Sequence, residues 1–422
     1  MSNKTRVVHV INSFEHGGAE AMLCNLLLRT DLRRFEPSVV ALIDDLTVAQ
    51  PIIDAGIPLV TMGMMPGLPN PRAVLRLAKH LRKVQPHVVQ TWMDHSNLIG
   101  GVATRLATRA KVVWGIHHSN HVKGVAKRST LATVAACGKL SRWVPSRIVF
   151  VSEHASMLYA KHGFAGDRIT VIPNGFDTSK LRPDAAARLS IRKELGLAPG
   201  VPLIGLAARH DPFKDHDTFF RAAAILAKQR TDVHFLLCGA GIERSNTVIA
   251  NRVDELGLKD RCHLLGPRRD MPTIHASLDV ATSSSISEAF PLVLGEAMSC
   301  CVPCVATDVG DSALILGDTG RIVPPRDPAA LAAGWAAMLS LKPQARHDLG
   351  MAARRRVVDL FDLTAVTRRY EAVYDEVLSG KGKSLVHPSA MKPADPKPAA
   401  ADGPVEKPVH RRQVQRRPAA VA

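Results

Sequence analysis

Residues 203–229 read LIGLAARHDPFKDHDTFFRAAAILAKQ, and their order decides the fold. Leu203–Ala207 is an apolar run of the length of one buried strand. From Asp217 to Gln229 the apolar residues return at helical spacing. Between the two lies a polar loop that carries Arg209 and Lys214 at the strand's C-terminal end. A strand that feeds a helix in this way is half of a βαβ unit, because parallel strands need a helical crossover.

The same unit recurs on both sides. Upstream, Arg6–Ile11, Ser38–Ile43, Val88–Thr91, Lys111–Ile116, Arg147–Val151 and Ile169–Ile172 read as strands. Amphipathic segments at Ala19–Arg29, Pro71–Val84, Leu98–Thr108 and Glu153–His162 alternate with them. Downstream, His234–Cys238, Cys262–Leu264, Val280–Thr282 and Cys304–Ala306 continue the second series, with helices near Asn246–Leu256 and Pro291–Cys300. The polar, Ala-rich stretch Asp177–Pro202, with Pro183 and Pro199, is assigned as the connection. The fold class is therefore α/β, with two doubly wound domains facing each other across a cleft. In such sheets ligands bind at the C-terminal ends of the strands.

Composition agrees and narrows the function. At roughly 100–200 residues per domain, 422 residues make two or three domains, and 46% hydrophobic content gives each a core. The net charge of +17 is uneven: 24 Lys/Arg stand against 12 Asp/Glu in residues 1–190, 22 against 23 in 191–379, and 9 against 3 in 380–422. A basic first half fits an anionic membrane surface or a phosphate-bearing substrate, and simple solubilisation fits it as well. Nucleic acid is not expected as a partner, since aromatics make up only 4% of the chain and offer few stacking platforms. Seven cysteines are too few and odd in number for a disulfide framework, which points to the cytoplasm. The apolar run after Arg6 is too short for a signal peptide.

Several residues can carry chemistry. Gly17-Gly18-Ala19-Glu20 follows the first strand and opens a helix. That suits a close backbone approach to an anion, or a plain strand–helix turn. His117 ends a strand where the cleft is expected. It can bond a hydroxyl or simply sit at the core edge. Arg209 and Lys214 supply the two cations a diphosphate needs. Asp215-His216-Asp217 imitates a DxD metal motif, but the two Asp precede a helix and N-capping is preferred. No metal site is expected there, nor at Cys300, Cys301 and Cys304, which lack further ligands.

Glu288 and Glu296 are the most informative pair. Glu288 lies in a loop that leads into a helix starting near Pro291, with proline in the first helical turn, and Glu296 lies one or two turns further. A carboxylate there can accept from vicinal hydroxyls of a sugar or ribose. The exposed N–H groups of Leu292 and Val293, which follow Pro291, can hold phosphate. Acidic residues answering the helix dipole account for Glu288 alone, but not for the whole arrangement.

Taken in order, these features resemble the retaining glycosyltransferases of family 4, the group 1 glycosyltransferases. The matching residues are Gly17-Gly18-Ala19-Glu20, His117, Pro173-Asn174-Gly175-Phe176-Asp177, Arg209 with Lys214, Gly239-Ala240-Gly241, Gly266 with Asp270, and Glu288-x7-Glu296. The resemblance implies the GT-B fold of two facing Rossmann-like domains. It implies an acceptor-binding domain at residues 1–180 and a nucleotide-sugar-binding domain at 181–362. A helix at 363–379 would cross back to the first domain, and 380–422 would be a disordered basic Pro/Ala/Lys tail. By the same resemblance Arg209 and Lys214 neutralise the donor diphosphate, Glu288 meets the sugar hydroxyls and Glu296 the ribose. His117 touches the donor sugar from across the cleft, while Gly17 and Gly18 border the phosphates. Two departures stand out: Lys214-Asp215 where the family often has Lys-Gly, and Val309-Gly310-Asp311 where it has a second Gly-Gly-x-x-Glu.

The expected activity is transfer of a hexosyl unit from a nucleotide diphosphate sugar to an acceptor hydroxyl, with anomeric retention and without a cofactor or metal. A glycan or lipid-linked acceptor, in polysaccharide or exopolysaccharide biosynthesis, would suit a peripheral position at the inner face of the cytoplasmic membrane. The alternatives are a GT-B sugar-nucleotide epimerase and a non-catalytic sugar-nucleotide-binding protein.

Overall fold

A computed structural model describes residues 4–15, 17–65, 71–119 and 128–380; the expected tail from 381 onward lies outside the described residues. Among the described residues, thirteen strands form two all-parallel sheets. The first holds β1 (Thr5–Ile11), β2 (Phe35–Ala41), β3 (Leu59–Thr61), β4 (Val88–Trp92), β5 (Lys111–Ile116), β6 (Arg147–Phe150) and β7 (Ile169–Val171). The second holds β8 (Leu203–Ala207), β9 (His234–Cys238), β10 (Cys262–Leu264), β11 (Val280–Ser283), β12 (Cys304–Thr307) and β13 (Gly320–Val323).

The strand orders are β3-β2-β1-β4-β5-β6-β7 and β10-β9-β8-β11-β12-β13. Both are doubly wound, so each has a switch point where the chain reverses direction across the sheet: β1/β4 in the first and β8/β11 in the second. Crevices at the strand C-termini open there. β4 and β11 are buried at every residue, as sheets covered by helices on both faces require. Two non-glycine residues take positive φ in the loops at these points, Met93 (73°) after β4 and Asp215 (47°) after β8. Strained backbone of this kind concentrates at functional sites.

The structure adds detail to the expected elements. The connecting stretch Asp177–Pro202 contains the helix Ala185–Glu194, which the sequence reading did not assign. Asp184 caps that helix through Ala186 and Ala187, and Ile191 is buried. Buried Arg192 completes its anchoring on Asp279 at 2.7 Å. The short edge strands β3 and β13 are additional to the expected set. Helix Leu292–Ser299 starts where expected, with Pro291 as its N-cap.

Helix Leu363–Ser379 follows helix Pro343–Phe361 and lies on the first sheet's core. Leu363, Val366, Tyr370, Val373, Tyr374 and Val377 join Ile11, Phe35, Trp92 and Val113 in one cluster. Glu371 and Asp375 pair with Arg34, and Glu376 with Arg147. No helix among the described residues is long and apolar enough to cross a membrane.

Candidate functional site

After β8 the chain passes Arg209 and makes one 3-10 turn, Pro212–Lys214, capped by Asp211. Asp211 accepts from the Phe213 amide and from Arg209, each at 2.9 Å, so Arg209 is tethered with half its side chain in solvent. Burial opposes the charge on Asp211, yet the Phe213 amide and the Arg209 guanidinium hold its carboxyl below the usual range. Asp215 then caps helix His216–Gln229 through the amide and hydroxyl of Thr218. Only Asp215 precedes that helix. Because its side chain starts the helix at His216, Asp217 falls in the first turn and pairs with Arg252 and Arg221, both at 2.7 Å.

The other loop of this switch point follows β11. Lys214 Nζ donates to Glu288 Oε1 at 2.5 Å, and Ser285 Oγ donates to the same oxygen at 2.7 Å. Glu288 is thus joined to the cationic loop, and both side chains stay partly open, at 25% and 13%. Pro291, Leu292 and Val293 form the start of the next helix, whose amides have no partner within the helix. Glu296 sits a turn further on, with Oε2 3.1 Å from Nε2 of buried His275, and makes no contact with Glu288.

The first domain brings its residues to the same place. Gly17 caps helix Gly18–Arg29, and a Cβ on Gly18 would lie 3.1 Å from Leu292 Cδ1. The two expected phosphate-bordering segments therefore meet, and a side chain at Gly18 would press on Leu292. Ser119 Oγ donates to the Glu288 carbonyl. Burial raises the carboxyl of Glu20, and Arg209 is among the charges that pull it back.

His117 follows β5, its ring stacked on Trp92 with centroids 4.7 Å apart. Both ring nitrogens are buried and neither has a partner among the described residues. Burial, with a smaller contribution from His118, lowers its pKa to about 3, so the imidazole is neutral. A neutral ring offers one N–H and one lone pair, which is what a hydroxyl needs. The neighbouring His118 points elsewhere, with Nε2 2.9 Å from the buried Asp94 carboxylate. Asn174 is also buried, and its Oδ1 has no partner among the described residues. All seven cysteines are free thiols, and Cys300 and Cys304 are buried at a helix end and the following strand.

Sequence reading overlooked Trp92, Ser119 and Ser285 as neighbours of the candidate residues, and it left the contacts of Asp311 open. Ser285 lay in a visible Ser-rich run, but its partner is fixed only by the loop's path.

Comparison with known proteins fits this arrangement. A family model described as Glycosyltransferase Family 4 matches residues 16–180, and one described as Glycosyl transferases group 1 matches residues 201–340. Each falls on one of the two sheets. The chain belongs to the group 1, family 4 glycosyltransferases, and its fold is GT-B. A D-inositol 3-phosphate glycosyltransferase from Nocardia farcinica is 30% identical over 249 residues, 54% of each chain. One from Mycolicibacterium vanbaalenii is 28% identical over 64% of this chain and 61% of its own. The chain thus spans little more than half the length of these curated relatives.

Among solved structures, Anabaena Alr3699/HepE in complex with UDP-glucose superposes with a TM-score of 0.77 at 20% identity, covering 89% of this chain and 99% of its own. WaaG, a glycosyltransferase involved in lipopolysaccharide biosynthesis, gives 0.68 at 16% identity, over 87% and 99%.

Proposed function

We propose that this chain is a retaining glycosyltransferase that moves a sugar from a nucleoside diphosphate donor to an acceptor hydroxyl. The observation that carries the reading is the Lys214–Glu288 pair, which joins the loops after β8 and β11, together with a neutral His117 whose ring nitrogens have no partner among the described residues. Negative charge gathers on the diphosphate as the glycosidic bond breaks. Lys214, Arg209 and the amides of Leu292 and Val293, just after Pro291, meet that charge in a partly desolvated cleft, where preorganised donors count most. Glu288, released from Lys214, takes sugar hydroxyls, and His117 takes another from the opposite wall. Glu296 is assigned to the ribose and Gly17-Gly18 to the border of the phosphates. In this reading protein cations and amides do the work a divalent ion does in other transferases.

HepE is seen with UDP-glucose and the relatives act on an inositol phosphate. UDP-sugars and phosphorylated polyol or glycan acceptors are therefore the first substrates to test. Incubation of the chain with a UDP-sugar and each acceptor, in chelator, followed by NMR of the product, is the test. A product with the donor's anomeric configuration supports the reading; an inverted product, or donor epimerised without acceptor, contradicts it.

A second reading concerns an anionic membrane surface. Helix Pro71–Val84 exposes Arg72, Arg76, Lys79, Arg82 and Lys83 together with Leu75, and it carries no acidic residue. A basic face with an apolar residue among the charges suits anionic lipid headgroups. Sedimentation with anionic but not zwitterionic vesicles, reversed by salt, supports it; indifference to lipid charge contradicts it.

A further inference from the structure

The Val309–Asp311 loop, where this chain departs from the family pattern, ties the two domains together through three hydrogen bonds. Asp311 belongs to the second domain and is 5% exposed. Its carboxylate accepts from three donors of the first: Ser152 Oγ at 2.8 Å, the Glu153 amide at 2.9 Å and the His154 amide at 3.1 Å. These donors begin helix Glu153–Lys161, so the carboxylate also faces the positive end of a helix dipole. Ser152 Oγ in turn accepts from the Ala155 amide, which leaves its hydrogen directed at Asp311.

The other side of the loop is fastened to Glu288. The Asp311 amide donates to the Ala289 carbonyl at 2.9 Å. Gly310 has φ 55° and lies so close to the carbonyls of Glu288 and Ala289 that no Cβ fits. The Glu288 carbonyl also receives Ser119 Oγ from the first domain. Two cross-cleft connections thus hold one short segment, and that segment carries Glu288.

We propose that Asp311 is a positioning residue that latches the Glu288 loop to helix Glu153–Lys161 and so sets the cleft width at which Glu288 and His117 reach one sugar. This rests on the reading that Glu288 meets the donor sugar. Asp311 touches no part of the diphosphate-binding set, so nucleotide affinity and transfer rate respond differently to its loss.

The experiment compares full-length Asp311→Ala, Asp311→Asn and Ser152→Ala, and the Asp311→Ala/Ser152→Ala double variant. It measures UDP affinity, kcat and KM for transfer, and the radius of gyration in solution. Loss of the latch leaves UDP affinity unchanged and lowers kcat on the order of 10²-fold, the scale for misplacing reacting groups by an ångström. Asn, which keeps one acceptor oxygen, loses less. Ser152→Ala adds nothing once Asp311 is gone, because the two act as a unit. The particle widens in Asp311→Ala. Wild-type kcat with unchanged scattering overturns the proposal. So does loss of UDP affinity in step with kcat, which would make Asp311 a support of the second domain alone. Should the wild-type chain transfer no sugar at all, the glycosyltransferase reading fails, while the scattering still decides whether Asp311 closes the cleft.

Discussion

Lys214 Nζ lies 2.5 Å from Glu288 Oε1, although the two residues are 74 positions apart. Each neutralises the other, and in the proposed function Lys214 turns to the diphosphate and Glu288 to the sugar. Removal of either partner leaves a partly buried charge uncompensated. Lys214→Met is expected to reduce transfer by about 10²–10³, the usual cost of one preorganised group aimed at developing charge. Glu288→Gln keeps the shape and loses the anion, so it weakens sugar recognition and leaves UDP binding intact. Steady-state kinetics and UDP calorimetry on the two variants check this split. Equal loss of UDP affinity in both would contradict it.

Acid sensitivity follows from two buried imidazoles. Burial lowers His9 and His117 to about 3, whereas an unfolded histidine titrates near 6.5. Between these values the unfolded chain binds more protons, so on their account stability rises with pH from about 3 to about 6.5 and is flat above. The loss is about 1.4 kcal/mol per ring for each pH unit below 6.5. His9 accepts from Trp92 Nε1 at 3.2 Å, a role an asparagine oxygen can fill. Thermal unfolding of His9→Asn across this range is expected to show a shallower pH dependence than wild type. Parallel curves would refute the assignment.

How much of this was legible in the sequence depends on how local each signal is. Parallel strands flanked by helices announce themselves as apolar runs, so the strand ends that carry Arg209, Glu288 and His117 were found by position alone. The helix Ala185–Glu194 was missed because the flanking Pro183 and Pro199 and its own polar residues read as a linker, while the features that stabilise it are its cap at Asp184 and a distant ion pair with Asp279. Asp311 was unreadable for the same reason: its partners lie 157–159 residues away. Trp92 ended an unremarkable strand, and only the return of β5 beside β4 puts His117 on its face.

Close packing of the helix Leu292–Ser299 gives a steric prediction. A Cβ on Gly295 would collide with the Phe176 ring, which also stacks on Phe290 at 6.2 Å. Alanine gains about 0.5–1 kcal/mol of helix preference over glycine, but overpacking costs typically 1–3 kcal/mol. Gly295→Ala is therefore expected to lower the unfolding temperature and, by shifting its neighbour Glu296, UDP affinity. An unchanged unfolding temperature would show that Phe176 can move aside.

The C-terminal helix yields a pair of opposite outcomes at one residue. Tyr370 is fully buried against Trp92, and its hydroxyl has no partner among the described residues. Truncation to alanine empties an aromatic site and is expected to cost about 3–5 kcal/mol. Tyr370→Phe removes only an unsatisfied polar atom and is expected to be neutral or stabilising. Denaturant unfolding of both variants decides this; a Tyr370→Phe loss near that of alanine would mean the hydroxyl is bonded in solution.

The account's central claim is that side-chain cations stabilise the departing diphosphate. Its most direct test is the single-turnover transfer rate from a saturating UDP-sugar in chelator, for wild type and for the Arg209→Gln/Lys214→Met double variant. A wild-type rate that survives chelation and falls by at least about 10²–10³ in the double variant is the predicted result. A double variant that transfers sugar as fast as wild type would contradict the claim.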